Sequence, residues 1–437
     1  MATAAEHFPY ERPQQLSAQA VSALQGLEAE IIVAERLVVD PASAEAAATQ
    51  FLAAGVDLLV SLCGSFTWDN MPVRVAQELN VPILLWAVPE PEMAGGRLEA
   101  NSLVGVTMNA AALKRLGQRY KFVYGLPDDQ ALIEEIWRTI RVIGALKQLR
   151  RTRLGIVGSR PPGFYGSTYD ELRLRQALGI EVIPIEVSEV LAAYEGAPEV
   201  RVKGALGRVR SLGRVAGAQE DDLRRVARLY VAMRELVDAQ RLSSIAVKCW
   251  PELKDRMLNP CVVNSLLTDE GIMTGCETDV HGTISMLIEH LLTGEPAFFA
   301  DLVTFDETAN TALLWHCGAA PSSLAASKED VALERHSIGT GIATIEFPLR
   351  EGRVTFTRLG PLDGGYRLLI VTGDAVPTGM PLRGNNIFVR TDLPVRQVVE
   401  RIIERGVEHH YALTYGDLRL DLLELCSWAG LQPEAVE

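Results

Sequence analysis

Acidic and imidazole side chains gather in one part of this chain. Glu277 and Asp279 follow the short apolar run Gly271 to Cys276, Asp301 interrupts the apolar run Ala297 to Phe305, and His316 sits in the run Leu313 to Cys317. Six of the seven histidines lie between positions 281 and 410, and two of them, His409 and His410, are adjacent just before an apolar stretch. Carboxylate oxygens with imidazole nitrogens make a donor set for a divalent ion. Two carboxylates flanking one substrate bond would also suit proton transfer. The plainer alternative is a buried Asp–His hydrogen bond that ties a hairpin.

These residues need elements to position them. Val280, Ile284, Leu287, Ile288, Leu291 and Leu292 recur at helical spacing, and Gly294 and Pro296 end the pattern. The expected order is therefore strand, helix, strand, with Glu277 at the first strand's end and Asp301 within the second. A polar turn from Asp306 to Asn310 folds that strand back on Leu313 to Cys317. A symmetric hairpin would oppose Asp301 and His316 and turn both to one face. Neighbours on a strand face opposite ways, so only one of His409 and His410 is expected to face the site. The isolated His7, His290 and His336 read as ordinary core or surface residues.

The preceding sequence alternates strands and helices. Ile31–Ala34, Asp57–Leu62 and Pro82–Val88 read as strands around an Ala-rich helix at Ala42–Ala54, which implies a parallel sheet covered on both faces. Its strand-end loops, Cys63 to Asp69 with Trp68, and Pro89 to Glu92, are where ligands meet such sheets. A long helix at Asp128–Leu149 leads to a second alternating block. Its strands are expected at Leu154–Gly158, Gly179–Ile185 and Ser244–Lys248, with polar helices at about 196–213 and 218–240. Gly158 to Gly163 lacks the G-x-G-x-x-G spacing and carries two prolines, which excludes a dinucleotide loop. Cys249 to Leu253, with Trp250 and Glu252, is another strand-end loop. Later, Gly341–Pro348, Arg353–Leu359 and Tyr366–Thr372 read as strands joined by tight turns, without room for crossover helices. One helix, Leu393–Arg405, then precedes the His409–His410 pair.

A chain of 437 residues with 48% hydrophobic and 22% charged content can bury a large core in two or three domains. Its net charge of -14 argues against nucleic acid and anionic membranes as partners, and the basic run Lys147 to Arg153 reads as a solvated helix end. Six cysteines without a CxxC pair suit reduced thiols in a cytoplasm. No apolar run reaches membrane-spanning length, and the N-terminus lacks a signal-peptide core.

From Lys248-Cys249-Trp250-Pro251-Glu252 through His316, and again at His409-His410, the sequence resembles the L-fucose isomerase / L-arabinose isomerase superfamily of metal-dependent aldose–ketose isomerases. Glu277 matches the family's C-E-x-D or T-E-x-D stretch, and Asp301 matches its F-x-D or M-E-D segment. His410 matches the second member of an arabinose-isomerase-like HH pair. His316 matches a histidine that arabinose isomerases use and fucose isomerases lack. The resemblance implies Glu277, Asp301, His316 and His410 as ligands of Mn2+, with Mg2+ or Co2+ as substitutes. It further implies Glu277 and Asp301 as the acid/base pair of a cis-enediol mechanism, and Asp279 as a brace or orienting group. Trp68, Trp250, Glu252 and His409 are candidates for substrate contact. The expected fold is two doubly wound parallel-sheet α/β domains (1–150 and 151–296, the second carrying Glu277), followed by a C-terminal antiparallel β-barrel-like domain (297–437) with the remaining ligands. A cytoplasmic homo-oligomer with sites shared between subunits is expected, with Trp68 lent across the interface. The chain is shorter than typical members, so the sugar stays open. A modified hexose such as a 6-sulfonated one, or a catalytically silent sugar-binding or regulatory protein, are the alternatives.

Overall fold

A computed structural model describes residues 1–91, 96, 98–256, 258–337 and 342–435. Glu92 and Gly341, at the ends of two stretches named above, lie outside the described residues. The chain forms two compact units, Met1–Lys147 and Gln148–Glu437.

The first unit is built on a parallel sheet in the order β1 (Ala2–Thr3), β2 (Leu59–Cys63), β3 (Ile83–Ala87) and β4 (Tyr120–Tyr124). Strand periodicity separates two apolar layers. Leu59, Cys63, Ile83, Leu85 and Ala87 join one buried cluster, while Leu62, Leu84 and Trp86 join the other. The Ala-rich helix Pro41–Ala54 starts in a capping box between Asp40 and Ser43 and ends at Gly55 in the left-handed region (φ 66°). Two corrections apply here. Ile31–Ala34 is irregular, because the side chain of Gln50 meets the Val33 carbonyl (2.8 Å) and the Glu35 amide (3.2 Å) in place of a ladder. The N-terminal Ala2–Thr3 supplies the edge strand instead, opposite Leu62 and Cys63. The other edge strand, β4, escaped notice because half-exposed Phe122 and Tyr124 break its apolar signature.

The second unit opens with β5 (Arg153–Val157), β6 (Glu181–Ile185), the short β7 (Arg214–Val215), β8 (Ser244–Val247) and β9 (Met273–Cys276). A parallel sheet runs β6-β5-β8-β9. The two polar helices expected between β6 and β8 are three, Val187–Gly196, Glu199–Arg210 and Glu220–Gln240, with Pro198 separating the first two. Next come β10 (Phe298–Asp306), β11 (Thr311–His316), β12 (Ala332–Glu334), β13 (Thr344–Pro348), β14 (Gly352–Leu362), β15 (Gly365–Val376), β16 (Asn385–Thr391), β17 (His410–Tyr415) and β18 (Gln432–Ala435). Six of these close a ring, β10-β11-β16-β15-β14-β17, in which every neighbouring pair is antiparallel. The C-terminal part is thus a barrel, and closure removes its free edges. A crossover helix does find room there: Arg419–Ala429 connects β17 to β18, which lies parallel to β15.

Faces alternate along β10 and β17. Phe298 opposes Leu413 and Ala300 opposes Tyr411, all four in the barrel's apolar core. The pairs between them, Phe299 with Ala412 and Asp301 with His410, therefore face the opposite way. The helix Val280–Thr293 packs against β8, β9, β14 and β17. Along it, Ser285 Oγ accepts from the Leu359 amide (2.8 Å), and Glu289 Oε1 accepts from Thr357 Oγ1 (2.8 Å). Among the described residues, Glu289 Oε2 has no hydrogen-bond partner.

Burial pushes the Glu289 carboxyl well above its ordinary value of 4.5, because the hydrogen bonds from Thr357 offset the lost hydration only in part. The folded state keeps a proton that the unfolded chain loses above that value, so this group lowers stability as pH rises. Glu289→Gln removes the titration. Its denaturation midpoint should exceed the native protein's at about pH 8 and converge with it at about pH 4. Parallel curves across that range would show Glu289 to be ionised in the fold.

Candidate active site

The carboxyl ends of β5, β8 and β9 meet one end of the barrel. At the end of β9, Glu277 and Thr278 both take left-handed backbone angles (φ 57° and 52°). That conformation is uncommon for any residue with a Cβ and strained for a β-branched one, the kind of strain that collects at functional sites. The Thr278 amide reaches back to the Val247 carbonyl (3.2 Å), and the Asp279 amide to that of Cys276 (3.0 Å). The chain thereby ends a strand at Cys276 and begins a helix at Val280.

Asp279 is the centre of this junction. Its Oδ1 accepts from the Gly282 amide (2.9 Å), capping the helix, and its Oδ2 meets Arg358 Nη1 and His410 Nδ1 (2.9 Å from the latter). Both Asp279 and Arg358 are fully withdrawn from solvent. A Cβ at residue 282 would lie 2.7 Å from Arg358 Nη1 and 2.9 Å from Asp279 Oδ2, so glycine is required for the ion pair to close. Burial opposes the charge on Asp279, but Arg358 and His410 outweigh it and hold the carboxyl far below its usual range.

With Nδ1 engaged, His410 turns Nε2 toward two carboxylates, 3.5 Å from Glu277 Oε2 and 3.7 Å from Asp301 Oδ1. The Trp250 indole donates to Glu277 Oε1 (3.1 Å), across a loop whose Trp250–Pro251 bond is cis. Burial works to raise the Glu277 pKa, yet His409, the His410 charge and Trp250 together bring it below its ordinary value. Burial also lowers the His316 pKa, favouring the neutral imidazole that can ligate a metal. Two overlapping groups result: Asp301, His316 and His410, and Glu277, His409 and His410. Oxygen and nitrogen donors with one histidine oriented by a buried carboxylate fit a divalent ion well. Glu277, Asp301, His316, His409 and His410 are the residues that could hold it.

Two expected details differ. Asp301 pairs with Trp315, not His316, because β10 carries an irregularity between Leu302 and Thr304 that shifts the hairpin by one. The residue directly opposite Asp301 on its other side is His410. His316, at the end of β11, still comes within reach of both. Strand alternation also fails to separate the two adjacent histidines, since β17 begins only at His410. Their rings lie 3.8 Å apart, and His409 Nε2 is 3.6 Å from Glu277.

Of the other candidates, Trp250 stands at the site. Glu252 turns to Lys248 Nζ (2.6 Å), which holds its carboxyl below the ordinary value. Half-exposed His409 borders Glu277 and Phe164. Trp68 belongs to the first unit, exposed and edge-on to Phe66 (5.0 Å). Sequence reasoning missed Arg358, Phe164 and Phe299. Phe164 lies edge-on to Trp250 (5.3 Å), and Phe299 lies 4.4 Å from the His410 ring. A lone arginine in the stretch Val354–Leu359 was the available signal for Arg358, just as the acid within an apolar run was for Asp301.

Residues 314–434 match a family model described as L-fucose isomerase, C-terminal domain. Over 352 residues the chain is 33% identical to a sulfoquinovose isomerase of Alkalicoccus urumqiensis, covering 79% of this chain and 78% of that protein. It is 32% identical to those of Priestia aryabhattai (85% and 83% covered) and Clostridium sp. strain MSTE9 (83% of each).

Asp279→Asn keeps a helix cap but strips Arg358 of its nearer counter-charge, leaving Glu408 at 3.6 Å from Nε, and weakens the hold on His410. Unfolding stability should fall by about 3–5 kcal/mol, as when one partner of a buried ion pair is removed. Mn2+ affinity, measured by direct titration under conditions where the variant is folded, should fall roughly 10–100-fold. Unchanged Mn2+ affinity would reduce Asp279 to a structural cap.

Proposed function

The chain belongs to the L-fucose isomerase-like family, alongside the sulfoquinovose isomerases, and from that premise we propose that it interconverts a 6-sulfonated aldohexose and its ketose. It is an aldose–ketose isomerase; the sulfonated substrate is the reading that its relatives' names favour. The observation that carries the chemistry is the convergence of Glu277 and Asp301 on one His410 nitrogen.

Isomerisation removes the proton on C2 while O1 gains one, giving a cis-enediol. O2 then loses its proton as C1 takes one up. Glu277 and Asp301 are the proposed pair for these transfers, placed so that a C1–C2 bond can lie between them. A divalent ion, Mn2+ by preference with Mg2+ or Co2+ as substitutes, would supply Lewis-acid stabilisation of the charge developing on O1 and O2. Asp279 holds His410 in the tautomer that leaves Nε2 free to serve as a ligand. Trp250 fixes one Glu277 oxygen, leaving the other toward His409 and His410. We assign His409 to a sugar hydroxyl and the Trp250–Phe164 pair to an apolar face of the ring. A cytoplasmic homo-oligomer completes the reading, with 151–296 and 297–437 as separate domains and Trp68 lent to a second subunit's site.

Three measurements test it. In a panel of L-fucose, D- and L-arabinose and a 6-sulfonated glucose, with Mn2+ present, ketose should form fastest from the sulfonated sugar. Equal or faster turnover of an unsulfonated sugar would overturn the substrate assignment. Chelation should abolish activity and Mn2+ restore it. Glu277→Gln keeps shape but not basicity and should lose about 10²–10⁴-fold in kcat. A variant retaining a third of the native rate would exclude Glu277 from proton transfer.

A further inference from the structure

A second donor group lies apart from the carboxylates. Cys261 opens the helix Cys261–Asp269, Cys317 follows the last residue of β11, and His336 lies just beyond β12. Distant in sequence, these three bring two sulfurs and one nitrogen within 4.8 Å of one another. Cys261 is buried and the other two are half-buried. A tetrahedral zinc ion with Zn–S bonds of about 2.3 Å sets its sulfurs roughly 3.8 Å apart, so small side-chain movements would bring the three donors onto it. We propose that Cys261, Cys317 and His336 form a second metal site for a thiophilic divalent ion of the zinc kind, with a fourth corner left to water or another ligand.

Three features support this assignment. First, all six cysteines are free, so Cys261 and Cys317 are not joined by a disulfide. A redox pair would need only two thiols, whereas here an imidazole converges with them. Second, buried Asn259 braces the group: its Nδ2 meets Cys261 Sγ (3.6 Å) and the Ala343 carbonyl (3.4 Å), and its Oδ1 accepts from the Ile342 amide (2.7 Å). Amide bracing of a ligand is what a metal site's outer contacts supply. Third, the donor chemistry is orthogonal to that of Glu277, Asp301 and His410. Thiolates select zinc over manganese or magnesium, so the two sites would take different ions from one solution. They are also adjacent, since Cys317 Sγ lies 3.6 Å from His316 Nδ1. An ion on Cys317 would restrain the backbone that carries His316.

Cobalt(II) loading separates the two sites, because only sulfur ligation gives an intense near-ultraviolet charge-transfer band. A cobalt ion on the carboxylates and histidines has no sulfur ligand and gives none. The native protein should show the band, and zinc should abolish it by displacement. Cys261→Ser, Cys317→Ser and half-exposed His336→Gln should each lose or strongly weaken it, while His410→Ala and Cys249→Ser keep it. Zinc should also raise the native melting temperature by more than it raises that of His336→Gln. Absence of the band in fully reduced native protein overturns the proposal. So does a band that survives both Cys261→Ser and Cys317→Ser. Isolation of the native protein with Cys261 and Cys317 as a disulfide, and no zinc uptake after reduction, overturns it too.

Discussion

Asp279 makes three contacts at the site, and each binds a different element. Its Oδ1 starts the helix Val280–Thr293; its Oδ2 pairs with Arg358 on β14 and with His410 on β17. A carboxylate so buried would be costly alone, and it is tolerated because a guanidinium, an imidazole and a backbone amide share it. In consequence one buried charge, together with the Ser285 and Glu289 contacts, ties the connecting helix to the barrel. His410 inherits its orientation from that group, and the approach of Glu277 and Asp301 to His410 Nε2 depends on it.

Two periodicities put Asp301 and His410 where they are. Along β10, even positions fill the barrel core and odd positions face away from it, so Asp301 occupies a polar face without disturbing Phe298 and Ala300. The same alternation in β17 commits Tyr411 and Leu413 to the core and leaves His410 opposite Asp301. Closing the barrel makes that register hard to slip. A shift by one residue would send His410 inward and Tyr411 out, exchanging a satisfied imidazole for an unpaired one in an apolar core.

Much of this was legible in the sequence because it rests on local pattern. The strand–helix–strand order around Glu277, the left-handed stop at Gly294 and the gathering of acids and histidines between 271 and 410 all follow from spacing and residue type. What escaped has equally definite causes. The irregularity between Leu302 and Thr304 carries no glycine or proline to announce it, so Asp301 was opposed to His316 in place of Trp315. Strand alternation would let only one of His409 and His410 face the site, but β17 starts at His410, and both imidazoles approach Glu277. Ile31–Ala34 has strand composition, yet its backbone is met by a glutamine side chain, which no periodicity encodes. Arg358 stood in plain view, but its partner lies across the fold, and only tertiary contact shows why an arginine belongs there. The Cys261–Cys317–His336 group was invisible for the same reason, since no sequence spacing links its three members.

Glu277 and Asp279, two residues apart, take opposite roles because the backbone between them turns through the left-handed region twice. Asp279 is sealed from water and tied to Arg358 and His410, which hold its carboxyl in the charged form and make it a fixed charge. Glu277 keeps part of its surface open and is held by an indole and imidazoles in place of a guanidinium. Burial raises its pKa, but His409, the His410 charge and Trp250 outweigh that and draw it below the ordinary value; in the proposed mechanism this carboxylate accepts the proton. An ordinary helical or extended Thr278 would rotate one of these carboxylates out of its environment. The strain at Thr278 lets one short segment supply both a fixed charge that orients His410 and, under the proposed mechanism, the carboxylate that takes the substrate's proton.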